Sequence, residues 1–182
     1  ENLWWLFRTR DFIPEYDKIY CVSEPVRKQV IARFPELADR TEVLLNFIDI
    51  KQVQRRSEEP LSDPQYTGEL KFLTVGRASE EKGYDIAVQI TAELKKRGLC
   101  FKWFIIGDGR DLNKLRTMAK EYQVEQEIIF LGMRENPAPY VKSCDLYLQP
   151  SRHEGYPITI VEARSLQKVI IASDIPSMRE QI

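Results

Sequence analysis

Two carboxylates, Glu154 and Glu162, are separated by seven residues within Pro-Ser-Arg-His-Glu-Gly-Tyr-Pro-Ile-Thr-Ile-Val-Glu-Ala, residues 150–163. Carboxylates accept hydrogen bonds from hydroxyls, and here they flank a Gly-Tyr-Pro turn. If Ile158–Gln167 is a helix, Pro157 suits its first position, because a proline there leaves no N–H unpaired. The N–H groups of Gly155, Tyr156 and Ile158 then point out of a positive helix end, which suits a diphosphate. A ligand with a charged middle and polyol ends, such as a nucleotide sugar, has the matching shape. There is a competing reading: Ile158-Thr-Ile-Val161 has poor helix propensity and by itself reads as a strand. Two Glu at this spacing also describe a surface loop with solvated carboxylates.

A second cluster, Gly76-Arg-Ala-Ser-Glu-Glu-Lys-Gly83, carries two cations. Arg77 can fork two donors onto a phosphate, Lys82 supplies a compact charge, and Gly76 and Gly83 allow close backbone approach. The loop lacks the Gly-Lys-Ser/Thr of a P-loop, which excludes that class of NTPase. Gly107-Asp108-Gly109 is a tight turn whose Asp either meets a ligand or caps the following helix. Gly132-Met133-Arg134 closes a third strand. Arg152 could join the anion site. His153 is the sole histidine, so no two-histidine metal site can be built and no metal is expected.

The elements that must position these residues alternate. Strands are expected at 19–22, 42–46, 70–75, 101–106, 128–131, 145–149 and 169–173, with helices over 24–34, 84–96, 112–122 and 139–144. Residues 51–68, charged and turn-rich with Pro60, Pro64 and Gly68, read as a connector. Strand–helix alternation predicts an α/β fold: a Rossmann-like parallel sheet flanked by helices, its ligand crevice at the carboxyl ends of the strands. The chain has 182 residues, 43% of them hydrophobic, and a net charge of −1. That is enough to bury a core, and it leaves no broad basic surface for nucleic acid. Cys21, Cys100 and Cys144 lack metal or redox spacing and are expected to be buried thiols of a cytoplasmic protein. No run is long enough for a membrane span. Leu3-Trp-Trp-Leu-Phe7, with Arg8 and Arg10, is either an interfacial helix making peripheral contact with the inner face of a membrane or a helix missing its partner.

Taken in order, Cys21-Val-Ser23, Asn46-Phe-Ile-Asp49, Gly-Arg…Glu-Lys-Gly, Gly-Asp-Gly, Leu-Gly and Pro-Ser…Glu-x7-Glu-Ala resemble retaining glycosyltransferases of the GT-B type, particularly glycosyltransferase family 4. The resemblance covers residues 19–182. It implies the C-terminal, donor-binding half of a GT-B fold, present as a fragment. Residues 1–50 would be the tail of the acceptor-side half and the crossover, 51–68 the connector, and 69–182 the nucleotide-sugar domain. By the same resemblance Arg77 and Lys82 stabilise the departing diphosphate, and Glu154 contacts the donor sugar. Glu162 holds the ribose, Gly76 and the Gly155–Ile158 backbone meet the diphosphate, Gly107, Asp108 and Gly109 border the donor, and Met133 lies at the nucleobase. It implies a hexose donor, UDP-linked, with no further cofactor, and a glycan or lipid-linked acceptor in polysaccharide or cell-envelope biosynthesis. The acceptor half would be supplied elsewhere, and this chain alone would be inactive. The alternative is a non-catalytic nucleotide-sugar-binding subunit of a split enzyme. A glycoside hydrolase using the Glu pair would not need two diphosphate loops. The sequence departs from the family where Pro157 replaces a usual Gly, and where Gln167-Lys168 replaces a common Gly before a Pro.

Overall fold

The computed structural model describes residues 16–182, which divide into two compact units after Asn46. The apolar stretch at residues 3–7 lies outside the described residues. In the first unit β1 (Ile19–Cys21) pairs in parallel with β2 (Thr41–Val43). Between them runs α1 (Glu24–Arg33), whose N-cap Ser23 accepts from the Val26 N–H at 3.4 Å, followed by a 3-10 turn over Pro35–Arg40. Cys21, Val30, Phe34 and Leu37 form its small core. The strand expected at 42–46 is shorter, Thr41–Val43, with one more ladder bond from Leu44 N–H to Cys21 O. Its partner β1 ends at Cys21, and the ladder ends with it.

The second unit holds a five-stranded, all-parallel sheet in the order β5-β4-β3-β6-β7. The strands are β3 (Lys71–Val75), β4 (Lys102–Ile106), β5 (Ile128–Gly132), β6 (Leu146–Gln149) and β7 (Val169–Ala172). Successive strand residues point to opposite faces, and both faces are covered. Phe72, Trp103, Ile105 and Ile128 pack on one side with α3 (Tyr84–Lys96) and α4 (Leu112–Glu121). Leu73, Phe104, Ile106 and Tyr147 pack on the other with α5 (Ala138–Ser143), α6 (Ile158–Ser165) and the short α7 (Pro176–Arg179). The buried polar atoms in the sheet are paired. Thr74 Oγ1 accepts from Trp103 Nε1 at 2.9 Å and donates to Leu148 O at 2.6 Å, pinning β3 between its neighbours.

The chain runs outward from β3 through β4 to β5, then returns to lay β6 on the other side of β3. The loops after β3 and β6 therefore diverge at a topological switch point, where an open parallel sheet leaves a crevice.

Residues 51–57, read from the sequence as part of a connector, join Ile50 in a helix, α2 (Ile50–Ser57), capped by the Asp49 carboxylate on the Gln52 N–H at 3.0 Å. Only Ile50 and Val53 are apolar, too few to show a helical stripe. The helix is docked by polar bonds instead: Gln54 Nε2 to Ser165 O at 3.2 Å, Arg56 Nη2 to Glu135 O at 3.0 Å, and Asn136 Nδ2 to Arg56 O at 2.9 Å.

The helical reading of 158–167 holds for Ile158–Ser165, with Pro157 as N-cap at ψ 110° rather than as first helical residue. The helix stops early because Gln167 turns left-handed at φ 55°, with Gln167 N–H on Arg164 O at 2.9 Å and Lys168 N–H on Ala163 O at 3.0 Å. That pair of bonds is the Schellman closure. The expected burial holds for Cys21 and Cys144, whereas Cys100 is exposed in the turn before β4, outside the sheet. Burial pushes the Cys144 thiol up to about 11. Among the described residues no helix is long and apolar enough to cross a membrane.

Candidate functional site

Three loops at the carboxyl edge are bonded into one surface. Gly76 N–H donates to Ile106 O and Gly107 N–H to Gly132 O, each at 2.9 Å, while Ala78 N–H donates to Asp108 O at 2.9 Å. Gly107 has φ 139°, and a Cβ there would meet Gly76 O at 1.9 Å, so only glycine permits this approach. Asp108 is exposed and turns its carboxylate onto the Gly109 N–H at 2.7 Å. It does not cap α4, whose N-cap residue is Asp111.

The loop after β3 is locked against the loop after β6. Gly83 has φ 65°, and a Cβ there would lie 2.1 Å from Pro150 O. Arg152 N–H donates to Glu81 O at 2.8 Å, and the Arg152 guanidinium grips Asp85 through two bonds of 2.6 Å. Arg152 is thus committed to Asp85 rather than to an anion site. Its hydrogen bond holds the Asp85 carboxyl below its ordinary value, against a smaller opposing effect of burial.

Across this junction Lys82 Nζ lies 2.6 Å from Glu154 Oε1. Ser151 Oγ donates to the same oxygen at 2.7 Å and Gln149 Nε2 at 3.0 Å, the amide also reaching Ser151 Oγ at 2.9 Å. The Glu154 side chain is only 8% exposed. All three bonds end on Oε1, which leaves Oε2 as the acceptor open to a ligand. The structure therefore brings Lys82 and Glu154 together. It also adds Gln149 and Ser151, which sequence reasoning missed although both flank Pro150. Arg77 lies exposed on the same loop, its guanidinium without a hydrogen bond or ion pair among the described residues. His153 is exposed.

Glu162 projects from the second turn of α6 into a cavity of about 290 Å³ bordered by Phe47, Val53, Arg56, Asn136 and Ala138. Burial raises its carboxyl above the ordinary value, with the Arg56 charge opposing. Arg56 had no signal in the sequence, because it sits on the helix read as connector. Met133, expected at a nucleobase, is 71% exposed and does not border this cavity. Its neighbour Arg134 turns back to Asp63 Oδ2 at 2.7 Å, where Tyr140 also donates at 2.8 Å, and this fixes the loop after β5. Gly155, Tyr156, Pro157 and Ile158 form the turn between the two carboxylates and lead into α6.

The arrangement offers an exposed cation, a cation paired with a carboxylate, a helix start and a cavity holding a second carboxylate. It can hold an anionic group between two polyol-binding ends. Residues 56–182 match the family model described as Glycosyl transferases group 1. An uncharacterized glycosyltransferase of Methanocaldococcus jannaschii is 30% identical over 165 residues, covering 88% of this chain and 40% of that protein. The N-acetylgalactosamine-N,N'-diacetylbacillosaminyl-diphospho-undecaprenol 4-alpha-N-acetylgalactosaminyltransferase of Campylobacter jejuni is 25% identical over 162 residues, 88% of this chain and 42% of that one. The chain thus spans about two-fifths of the length of these curated relatives. The solved structure of Anabaena HepE with UDP and glucose aligns at a TM-score of 0.82 and 19% identity, over 97% of this chain and 50% of that one, which shows a shared fold.

Proposed function

The chain belongs to the glycosyl transferases group 1, and on that premise we propose that it is the donor-binding, C-terminal half of a retaining, metal-independent glycosyltransferase of family 4. The donor is a UDP-linked hexose and the acceptor a glycan or lipid-linked glycan. The observation that carries this reading is the Lys82–Glu154 pair spanning the switch point, with the Glu162 cavity on the same edge. Solved HepE holds UDP and glucose, and the Campylobacter relative is named for transfer to a diphospho-undecaprenol glycan; both support the donor and acceptor classes. The site lies in a cytoplasmic protein working at the inner face of the membrane, and no resident cofactor is required.

In this reading Glu162 binds the ribose diol, and the α6 start with Arg77 and Lys82 binds the diphosphate. As the glycosidic bond breaks, negative charge grows on the departing diphosphate. A preorganised donor aimed at such charge is worth about 3 kcal/mol. Glu154 orients the sugar through Oε2, while Ser151 and Gln149 hold Oε1. Lys82 serves both partners: bonded to Glu154 in the ligand-free chain, it turns to the diphosphate when the donor enters, so donor binding and release of the Glu154 carboxylate are one event.

The 182 residues are about two-fifths the length of the relatives, and the groups that place an acceptor are proposed to lie in the other half. Positioning is worth about 7–11 kcal/mol of a barrier, so the chain alone should bind donor without transferring sugar. The test is thermal denaturation against a panel of nucleotide sugars, since a ligand specific for the native state raises Tm. UDP-sugars should raise it, and Arg77→Ala and Lys82→Ala should each remove most of the increment given by UDP while sparing that of uridine. No shift with any nucleotide sugar would overturn the reading.

A further inference from the structure

Tyr84 opens α3, is 1% exposed, and its hydroxyl has no hydrogen-bond partner among the described residues. A buried hydroxyl left unpaired costs about 1–3 kcal/mol, a loss that a phenylalanine of nearly the same volume would avoid. Its surroundings supply a reason for keeping it. A Cβ built on Gly76 would lie 2.9 Å from Tyr84 Oη and 3.7 Å from both Cδ and Cε of Lys82. The hydroxyl and the Lys82 stem therefore both lie against Gly76 of the cationic loop. That stem is held there by the bond from Lys82 Nζ to Glu154 Oε1 at 2.6 Å. Burial, with smaller effects from Tyr147 and Glu154, raises the phenol well above its ordinary value, so it keeps its proton and acts as a donor.

Resting on the nucleotide-sugar reading above, we infer that Tyr84 is a further donor-binding residue whose hydroxyl, covered by the Lys82 stem in the ligand-free chain, donates to a phosphoryl oxygen once the entering diphosphate draws Lys82 off Glu154. The route to that hydroxyl passes over Gly76 and exists because residue 76 carries no side chain. Phosphate contacts by Lys82 and Tyr84 are then coupled, since one uncovers the other.

Calorimetric titration and thermal denaturation of the parent, Tyr84→Phe and Gly76→Ala, with UDP and uridine as probes, test this. Tyr84→Phe should raise the ligand-free Tm, because an unpaired hydroxyl is gone, and weaken UDP about tenfold while uridine binds unchanged. A residue that only packs would not raise Tm and lower diphosphate affinity together. Gly76→Ala places a methyl against the hydroxyl and should weaken UDP selectively too, which keeps the inference testable if the Phe variant folds poorly. Tyr84→Phe binding UDP as tightly as the parent, or losing UDP and uridine alike, would remove Tyr84 from the site and leave the nucleotide reading standing. A parent that binds neither probe would overturn the nucleotide reading and this inference with it.

Discussion

Glu154 and Glu162 are the same residue type on one short stretch, yet their surroundings are opposite. Glu154 is held by three donors on one oxygen: Lys82 from the loop after β3, Gln149 from the end of β6 and Ser151 from its own loop. Glu162 stands on a helix beside a cavity, where burial disfavours its charge and Arg56 only partly offsets that. The first carboxylate is saturated on one side before any ligand arrives, whereas the second is under-satisfied. A half-buried carboxylate short of protein donors gains from a ligand that brings hydroxyls. A saturated one serves better as a fixed marker of orientation.

The contrast is broken most severely by Glu154→Gln. Lys82 would lose its counter-charge in a part-buried place, and stability should fall by about 2–3 kcal/mol in urea denaturation. Affinity for a UDP-sugar should fall more than affinity for UDP, because the lost oxygen faces the sugar. A variant as stable as the parent would mean that the two carboxylates do not differ as described.

Glu162→Gln should give the reverse sign. Because the folded carboxyl titrates above its unfolded value, the folded chain holds the extra proton across the interval between them, and stability falls as pH rises through it. Gln removes that slope, so the variant should gain on the parent from acid toward neutral pH. Ribonucleotides should bind about tenfold more weakly to it, with 2′-deoxy ligands little changed. A parent that binds deoxy and ribose ligands equally would take Glu162 away from the diol.

Two smaller effects sharpen the comparison. Gln167→Gly relieves a left-handed residue at the end of the helix carrying Glu162 and should raise stability by about 1 kcal/mol without changing UDP affinity. Loss of affinity there would show that the helix end reaches the site. Asp85→Asn loosens the Arg152 grip on the Glu154 side. The Asp85 carboxyl is depressed when folded, so its small contribution is present above the unfolded pKa and lost as pH falls through the folded one. Parent and variant should therefore converge in acid, and a gap that persists there would assign the effect to packing instead.

The alternation of elements and both the cationic and the carboxylate loops were legible in the sequence. Continuous β-branched and aromatic runs bounded by Gly and Pro specify strands locally, and a Gly-rich loop carrying Arg and Lys announces its charge wherever it folds. The helix over Ile50–Ser57 was not legible, because polar bonds to residues 135, 136 and 165 hold it rather than an apolar stripe. Nor were the partners of single atoms. Lys82 and Glu154 lie 72 positions apart, and Arg152 and Asp85 67. The sequence by itself determined which groups could carry charge and which segments would become strands. The order β4-β3-β6 decided which of those groups meet, because only the return of the chain to the other side of β3 sets two distant loops edge to edge.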